Sequence, residues 1–221
     1  MIPEYLNVKA IGHSLMLVSS AYFLFSALAT AQAVPEFMVT WKSDNYAPPS
    51  YQGKVMPVDG SKIEVALELI DGGKIANLSG LQISWLINND ELKSGIGLKN
   101  ISFTANGRRG DQLVEVTIKN YKGVDLEKRL DIPLTDPELV IIGGPTIFEV
   151  FPYFFNVKNI NELIISWSAN GRPTSGSVES PTALEVDTSS FPTNSEIVIQ
   201  ATASNSKKST EIASKTIIFR K

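Results

Sequence analysis

Beyond residue 34, apolar residues fall on every second position. Ile63, Val65, Leu67 and Leu69 alternate with polar neighbours in KIEVALELI; Leu81, Ile83 and Trp85 do so in LQISW, Ile101 and Phe103 in NISF, and Val114, Val116 and Ile118 in VEVTI. A period of two puts each set of side chains on one face of a pleated strand, so every run predicts a strand with one buried face. Between the runs lie Asp71-Gly72-Gly73, Asn88-Asn89-Asp90, Asn106-Gly107 and Lys122-Gly123, residue types that tolerate the positive φ of tight turns. No segment after residue 34 carries the stripe of an amphipathic helix, so the pattern predicts an all-β chain.

The pattern occurs twice. Leu81-Gln-Ile-Ser-Trp85 returns as Leu163-Ile-Ile-Ser-Trp167, Glu64-Val65 as Glu149-Val150, and LVEVTIKN (113–120) as VIQATASN (198–205). The displacement stays nearly constant along the chain, which indicates two copies of one unit. The copies are expected at residues 34–136 and 137–221, linked near Thr135-Asp136-Pro137, each with six or seven short strands forming a two-sheet sandwich. Trp85 and Trp167 follow the same Leu-x-Ile-x pattern and are expected at equivalent core positions.

Residues 1–33 differ in kind. Leu15 to Ala29 is uncharged and mainly apolar, follows a head carrying Glu4 and Lys9, and leads to Ala31-Gln32-Ala33. This predicts an N-terminal hydrophobic helix, either a signal peptide cleaved after Ala33 or, counted from Ile11 as about 20 residues, an uncleaved membrane anchor. Both readings export residues 34–221 to the cell envelope, membrane-anchored or secreted.

Composition narrows the chemistry. The net charge is −3, with 12 basic against 14 acidic residues in 34–136 and 7 against 8 in 137–221; no basic stripe is available to nucleic acid. There is no cysteine, so stability rests on packed cores. The single histidine is His13, inside the N-terminal segment, which leaves residues 34–221 without an imidazole for Ser-His or Cys-His catalysis or for a His-based metal site. Carboxylates such as Asp90, Glu91, Asp125, Glu127 and Asp131 fall in turns or on alternating strand positions, where solvated charges sit. The inventory predicts no catalytic residues, no cofactor and no metal. Asp44-Asn45 with Asp59, and Asn88-Asn89-Asp90, lack the spacing of a dedicated calcium loop and read as turn residues.

Two modules of this size, each with a Trp in the strand where immunoglobulin-like folds place their central core Trp, resemble the tandem immunoglobulin-like or PKD-like modules of bacterial surface proteins. The stretches TWKSDNYAPPSYQGK, ahead of the first module, and FEVFPYFFNV, opening the second, resemble a group of uncharacterised exported bacterial proteins of this two-module layout. The resemblance implies two tandem immunoglobulin-like β-sandwich domains behind the hydrophobic helix, and it carries no activity. The cysteine pair of antibody domains is missing, and Leu86-Ile87-Asn88-Asn89 and Ser168-Ala169-Asn170-Gly171 replace the Gly-Asp-Gly that follows the PKD Trp.

TWKSDNYAPPSYQGK admits three readings: Pro48-Pro49-Ser50-Tyr51 formally matches a WW-domain peptide ligand, which an exported chain would not meet, and the other two turn on exposure. Trp41, Tyr46 and Tyr51 are candidate ligand contacts if they stand exposed, as in a carbohydrate-binding module. If buried, they and the stiff Pro48-Pro49 crossing clamp the open end of the first module, and Trp41 is expected to be largely buried. The expected function is a non-catalytic binding or spacer module of the cell envelope. Its expected partner is an envelope protein or a glycan, with membrane contact through residues 1–33 if these are retained.

Overall fold

The computed structural model describes residues 34–144, 146–177 and 180–221; the hydrophobic helix expected over residues 1–33 lies outside them. The first half supplies β1 (Glu36–Ser43), β2 (Lys62–Asp71), β3 (Lys74–Ile75), β4 (Gln82–Ile87), β5 (Asp90–Ile96), β6 (Asn100–Thr104), β7 (Gln112–Tyr121) and β8 (Val124–Ile132). The second supplies β9 (Glu138–Gly143), β10 (Ile147–Tyr153), β11 (Leu163–Ala169), β12 (Arg172–Thr174), β13 (Ala183–Glu185), β14 (Glu196–Asn205) and β15 (Lys208–Arg220). Three short 3-10 turns complete the described residues, which contain no α-helix.

Pairing is antiparallel throughout. In the first half β1 lies on one side of β2, with β6 and β3 end to end on the other; the facing sheet runs β5-β4-β7-β8. In the second half the sheets run β9-β10-β13 and β12-β11-β14-β15. Apart from the very short β3, the strands correspond one for one in chain order. Each half is an immunoglobulin-like sandwich whose seventh strand joins the sheet carrying the central Trp. The equivalence extends to register: Trp85 pairs with Val116 and Trp167 with Ala201, and Val116 and Ala201 hold the same place in the repeated LVEVTIKN and VIQATASN segments.

The alternation explains the two cores. Ile63, Val65, Leu67 and Leu69 all point inward from β2 to join Ile83, Trp85, Val114, Val116 and Ile118. Phe148, Val150, Leu163, Trp167, Ile197, Ile199, Ala201 and Ala203 form the second core. Trp85 is 0% and Trp167 3% exposed. A buried indole N–H needs an acceptor, and each finds one on the neighbouring loop: Trp85 donates to the Leu98 carbonyl (2.9 Å) and Trp167 to the Pro181 carbonyl (3.1 Å). The hairpins after β4 and β11 turn on Asn88-Asn89 (φ 54° and 69°) and Asn170-Gly171 (φ 50° and 75°), the left-handed pair that matches strand twist in tight hairpin turns.

The structure differs from expectation at the aromatic stretch. Thr40–Ser43 is strand rather than irregular crossing, because Phe37, Val39 and Trp41 alternate inward along β1 and pack against the first core. The irregular part begins at Asp44 and ends at Ser61. Since Ser43 pairs with Ile63, this whole segment leaves the sheet and returns to the same place. The corresponding connection in the second sandwich is short, β9 ending at Gly143 and β10 starting at Ile147. A loop as long as 44–61 without regular structure is uncommon in a compact fold and calls for a role.

Trp85→Ala should lower the stability of the first sandwich by about 3–5 kcal/mol, and Trp167→Ala that of the second by a similar amount. Urea unfolding followed by circular dichroism, with hydrogen exchange resolving the two halves, measures both. A variant that unfolds at the parent midpoint would remove its Trp from the core.

Candidate functional site

The excursion of residues 44–61 spans from the first sandwich to the second. Tyr46 forms an isolated antiparallel bridge with Phe155: its N–H donates to the Phe155 carbonyl (2.8 Å), and its own carbonyl accepts from the Phe154 N–H (2.7 Å). Phe154 and Phe155 belong to residues 154–162, which connect β10 to β11. Phe155 is fully buried in the second core, and the half-buried Tyr46 ring packs on that core; burial raises the Tyr46 phenol pKa above its usual value.

Asn156 is the centre of the contact. Its side-chain oxygen accepts from the Asn45 amide (3.1 Å) and the Ser61 hydroxyl (2.9 Å), and its side-chain amide donates to the Asp59 carbonyl (3.0 Å) and to Glu211 Oε2 (3.0 Å). Its backbone N–H donates to Glu211 Oε1, and its carbonyl accepts from the Asn205 amide (3.3 Å). Every polar group of the residue is therefore used, and the donors facing Oδ1 fix which way the amide points.

The partners are themselves satisfied and shielded. Asn45 is 7% exposed; its amide also reaches the Phe154 carbonyl (2.8 Å) and its oxygen accepts from Ser43. Ser61 is 0% exposed and accepts from the Val58 N–H (2.7 Å). Glu211, on β15, is buried too. Asn156 itself is half-buried, but Asn45, Ser61 and Glu211 are shielded from water, and a connected polar network with shielded members is worth more than its surface equivalent.

Ion pairs and rings surround this centre. Lys208 on β15 donates to both the carbonyl (2.8 Å) and the carboxylate (3.0 Å) of Asp59, and Lys158 reaches Asp44 (2.6 Å). The Asp59 carboxyl pKa is held below its usual value, first by the Gly107 N–H (2.7 Å) and then by Lys208. Tyr51 stands edge-on to Tyr153 (5.4 Å) and Phe154 (5.8 Å). Its ring folds back over Gly53, where a Cβ would collide with the phenol. The linker is drawn in as well, the Thr135 N–H donating to the Pro57 carbonyl (3.0 Å). Phe154 has φ 67°, a conformation costly for a bulky L residue; the bonds its N–H and carbonyl make to Tyr46 and Asn45 hold it there.

The three candidate contact residues therefore have different surroundings. Tyr46 and Tyr51 lie at the junction, against the second sandwich. Trp41 is half-buried on β1, with the Lys54 ammonium 3.4 Å from its ring centroid; that ring face is taken by a cation. A groove of about 700 Å³ beside it, lined by Trp41, Thr40, Lys42, Glu64, Leu92 and Lys93 among others, is flanked by a Lys42–Glu64 ion pair (2.9 Å). Oxygens weighed for calcium are engaged within the protein: Asp44 with Lys158, Asp59 with Lys208, Asp90 with Arg109 (2.9 Å), and Asn88 Oδ1 with the Leu113 N–H (3.0 Å). Among the described residues, no group of three or more acidic, His or Cys side chains is disposed to hold a metal. Sequence reasoning missed Asn156, Ser61 and Glu211, each an ordinary surface residue type in a one-dimensional reading. The only signal was the length of the connection.

No protein-family model and no curated protein matches the chain. Among solved structures it is similar to the fibronectin(III)-like modules of Clostridium thermocellum CbhA, at 10% identity and TM-score 0.30, over 82% of this chain and 92% of that one. It is also similar to three N-terminal domains of the bacteriophage RB49 Highly Immunogenic Outer Capsid protein (12%, TM-score 0.42, 85% and 59%) and to Sidekick-1 immunoglobulin domains 1–4 (10%, TM-score 0.25, 85% and 69%). Likenesses this distant carry no argument about function, and the fold rests on the strand order given above.

Asn156→Ala should destabilise the junction by more than about 3 kcal/mol, because it leaves Asn45, Ser61 and Glu211 with unpaired buried groups. Calorimetry should then show the two sandwiches unfolding separately, whereas the parent unfolds as one; coincident unfolding of both proteins would contradict the assignment. Asp59 supplies a pH test. Because its carboxyl pKa is lower folded than unfolded, its contribution is complete above the unfolded value and is lost as pH falls through the lowered one. Acid titration of the urea midpoint should therefore fall less steeply in Asp59→Asn than in the parent; parallel curves would exclude the Lys208 and Gly107 contacts as the cause.

Proposed function

We propose that this chain is an exported, non-catalytic element of the cell envelope whose two immunoglobulin-like sandwiches act as a spacer and binding module of fixed internal geometry. The observation that carries the proposal is the saturated Asn156 network. Inter-domain contacts within a chain are ordinarily polar and mobile. Here, residues 34–221 group as one compact unit despite their two cores, and the long 44–61 excursion has no counterpart in the second sandwich. Fixing the relation of two sandwiches serves a spacer that must hold a partner at a set distance, and would be redundant in a flexible tether.

Export is supported by the apolar run of residues 15–29 ahead of Ala31-Gln32-Ala33. A non-catalytic role is supported by the absence of histidine from residues 34–221. The partner proposed is an envelope protein or a glycan. A carbohydrate-binding role through Trp41 has the adjoining groove in its favour and the Lys54 ammonium against it.

In the native host, protease added to cells with a permeabilised outer surface should cleave the sandwiches while cytosolic markers survive. N-terminal sequencing should give either residue 34 or the retained anchor. Glycan titration should give no saturable binding that Trp41→Ala abolishes. Recovery of the full-length chain from the cytosol would refute export, and Trp41-dependent sugar binding would move the protein to the carbohydrate-binding class.

A further inference from the structure

The outward faces of the two Trp-bearing sheets share one topology and differ in charge. In the first sandwich this face is charged: Glu115 pairs with Arg129 across β7 and β8, Lys119 with Asp125 (2.8 Å), and Glu127 stands opposite Thr117. In the second, four successive rows across β11, β14 and β15 carry no charge at all. Register puts Ile164, Ser204 and Ile212 in the first row, Val198 beside Ile218 in the fourth, and only Ser, Thr and Gln between them. The Thr202 and Ser214 hydroxyls bond to each other (2.9 Å), and the first ion pair, Glu196–Arg220 (2.6 Å), appears one row beyond the fourth. Ile164, Ile212 and Ile218 are 60%, 52% and 64% exposed and share one uncharged face, Ile164 and Ile212 at one end and Ile218 at the other, with Ser, Thr and Gln between.

We propose that this face is a self-association surface, through which two copies pack sheet against sheet. Three observations select a second copy as occupant. The body is weakly acidic, with net charge −3, so two copies repel slightly, and this uncharged face lets them approach without adding like-charge contacts. The face can be paired with itself, as a two-fold interface requires: an axis crossing the strands midway along the patch sets Ile212 of each copy opposite Ile218 of the other, the Ser, Thr and Gln rows against each other, and Val198 against Ser204. Association through the edge is disfavoured, because the exposed edge strand β15 carries Lys215 on its inward side, paired with the buried Ala201, a charge that would be trapped by an added strand. Strand and residue spacings give the patch about 400–500 Å² per copy. That falls below the range of stable specific interfaces and within that of weak transient encounters, so the dimer is weak and forms where chains are concentrated, as on one envelope surface.

The fragment 34–221, which holds both cores and every junction contact, is the test material. Sedimentation equilibrium up to about 1 mM should show reversible dimers with a dissociation constant on the order of 100 µM. Thr202→Lys, on the neutral face, should weaken association at least about tenfold, while Thr117→Lys, at the equivalent place on the first sandwich, should leave it unchanged. Because the chain has no native cysteine, oxidation of an Ile212→Cys/Ile218→Cys double variant should yield covalent dimers and nothing else. A parent that stays monomeric at the highest concentration overturns the proposal. So does association that Thr202→Lys leaves intact or that both lysine variants weaken equally, and so does binding of the face to lipid vesicles or glycans in place of a second copy.

Discussion

The arrangement of this protein depends on one half-buried amide. Asn156 has two side-chain lone-pair sites, two side-chain protons, a backbone donor and a backbone acceptor, and all are spent on groups brought from β15, the end of β14 and both ends of the 44–61 excursion. Neither sandwich can rotate against the other without unpairing Asn45 or Ser61, which water barely reaches. Unpaired buried polar groups cost more than the net worth of the bonds they would make, so the network acts as a constraint on geometry more than as a source of stability. The solvent-exposed ion pairs at Asp44 and Asp59 and the edge-on rings of Tyr51, Tyr153 and Phe154 surround it.

This constraint depends on how two copies of one fold were made unequal. Both sandwiches place a Trp on the same strand, hand its N–H to a loop carbonyl and turn the next hairpin on left-handed residues. The largest difference lies in one connection, the whole of 44–61 in the first sandwich against the few residues between Gly143 and Ile147 in the second. The long connection supplies Asn45, Tyr46, Asp59 and Ser61, and the second sandwich answers with the strained Phe154 and with Asn156. The spacer reading follows from that inequality, since without the insertion two such sandwiches would meet only through the linker at residues 133–137.

Much of the architecture was legible in the chain because strand pairing in a sandwich is written in a period of two. The runs at 63–69, 81–85 and 114–118, the turn residues between them and the repeat displacement all correspond to observed elements. The first strand was harder to read: Phe37, Val39 and Trp41 alternate, but the polar, Pro-rich continuation hides where the strand stops. The destination of that continuation was not legible at all. Asn45 and Ser61 both meet Asn156, which lies in the other half of the chain. Nothing local in Asn, Ser or Glu distinguishes a solvated turn residue from the member of a buried network, because that difference is made by what else arrives at the same place.

The most direct test is a set of residual dipolar couplings measured for residues 34–221 in one alignment medium. If the Asn156 network locks the sandwiches, a single alignment tensor fits the couplings of both, and in Asn156→Ala two tensors of different magnitude are needed. A parent whose sandwiches already require separate tensors would mean that the junction is mobile, and would contradict the account at its centre.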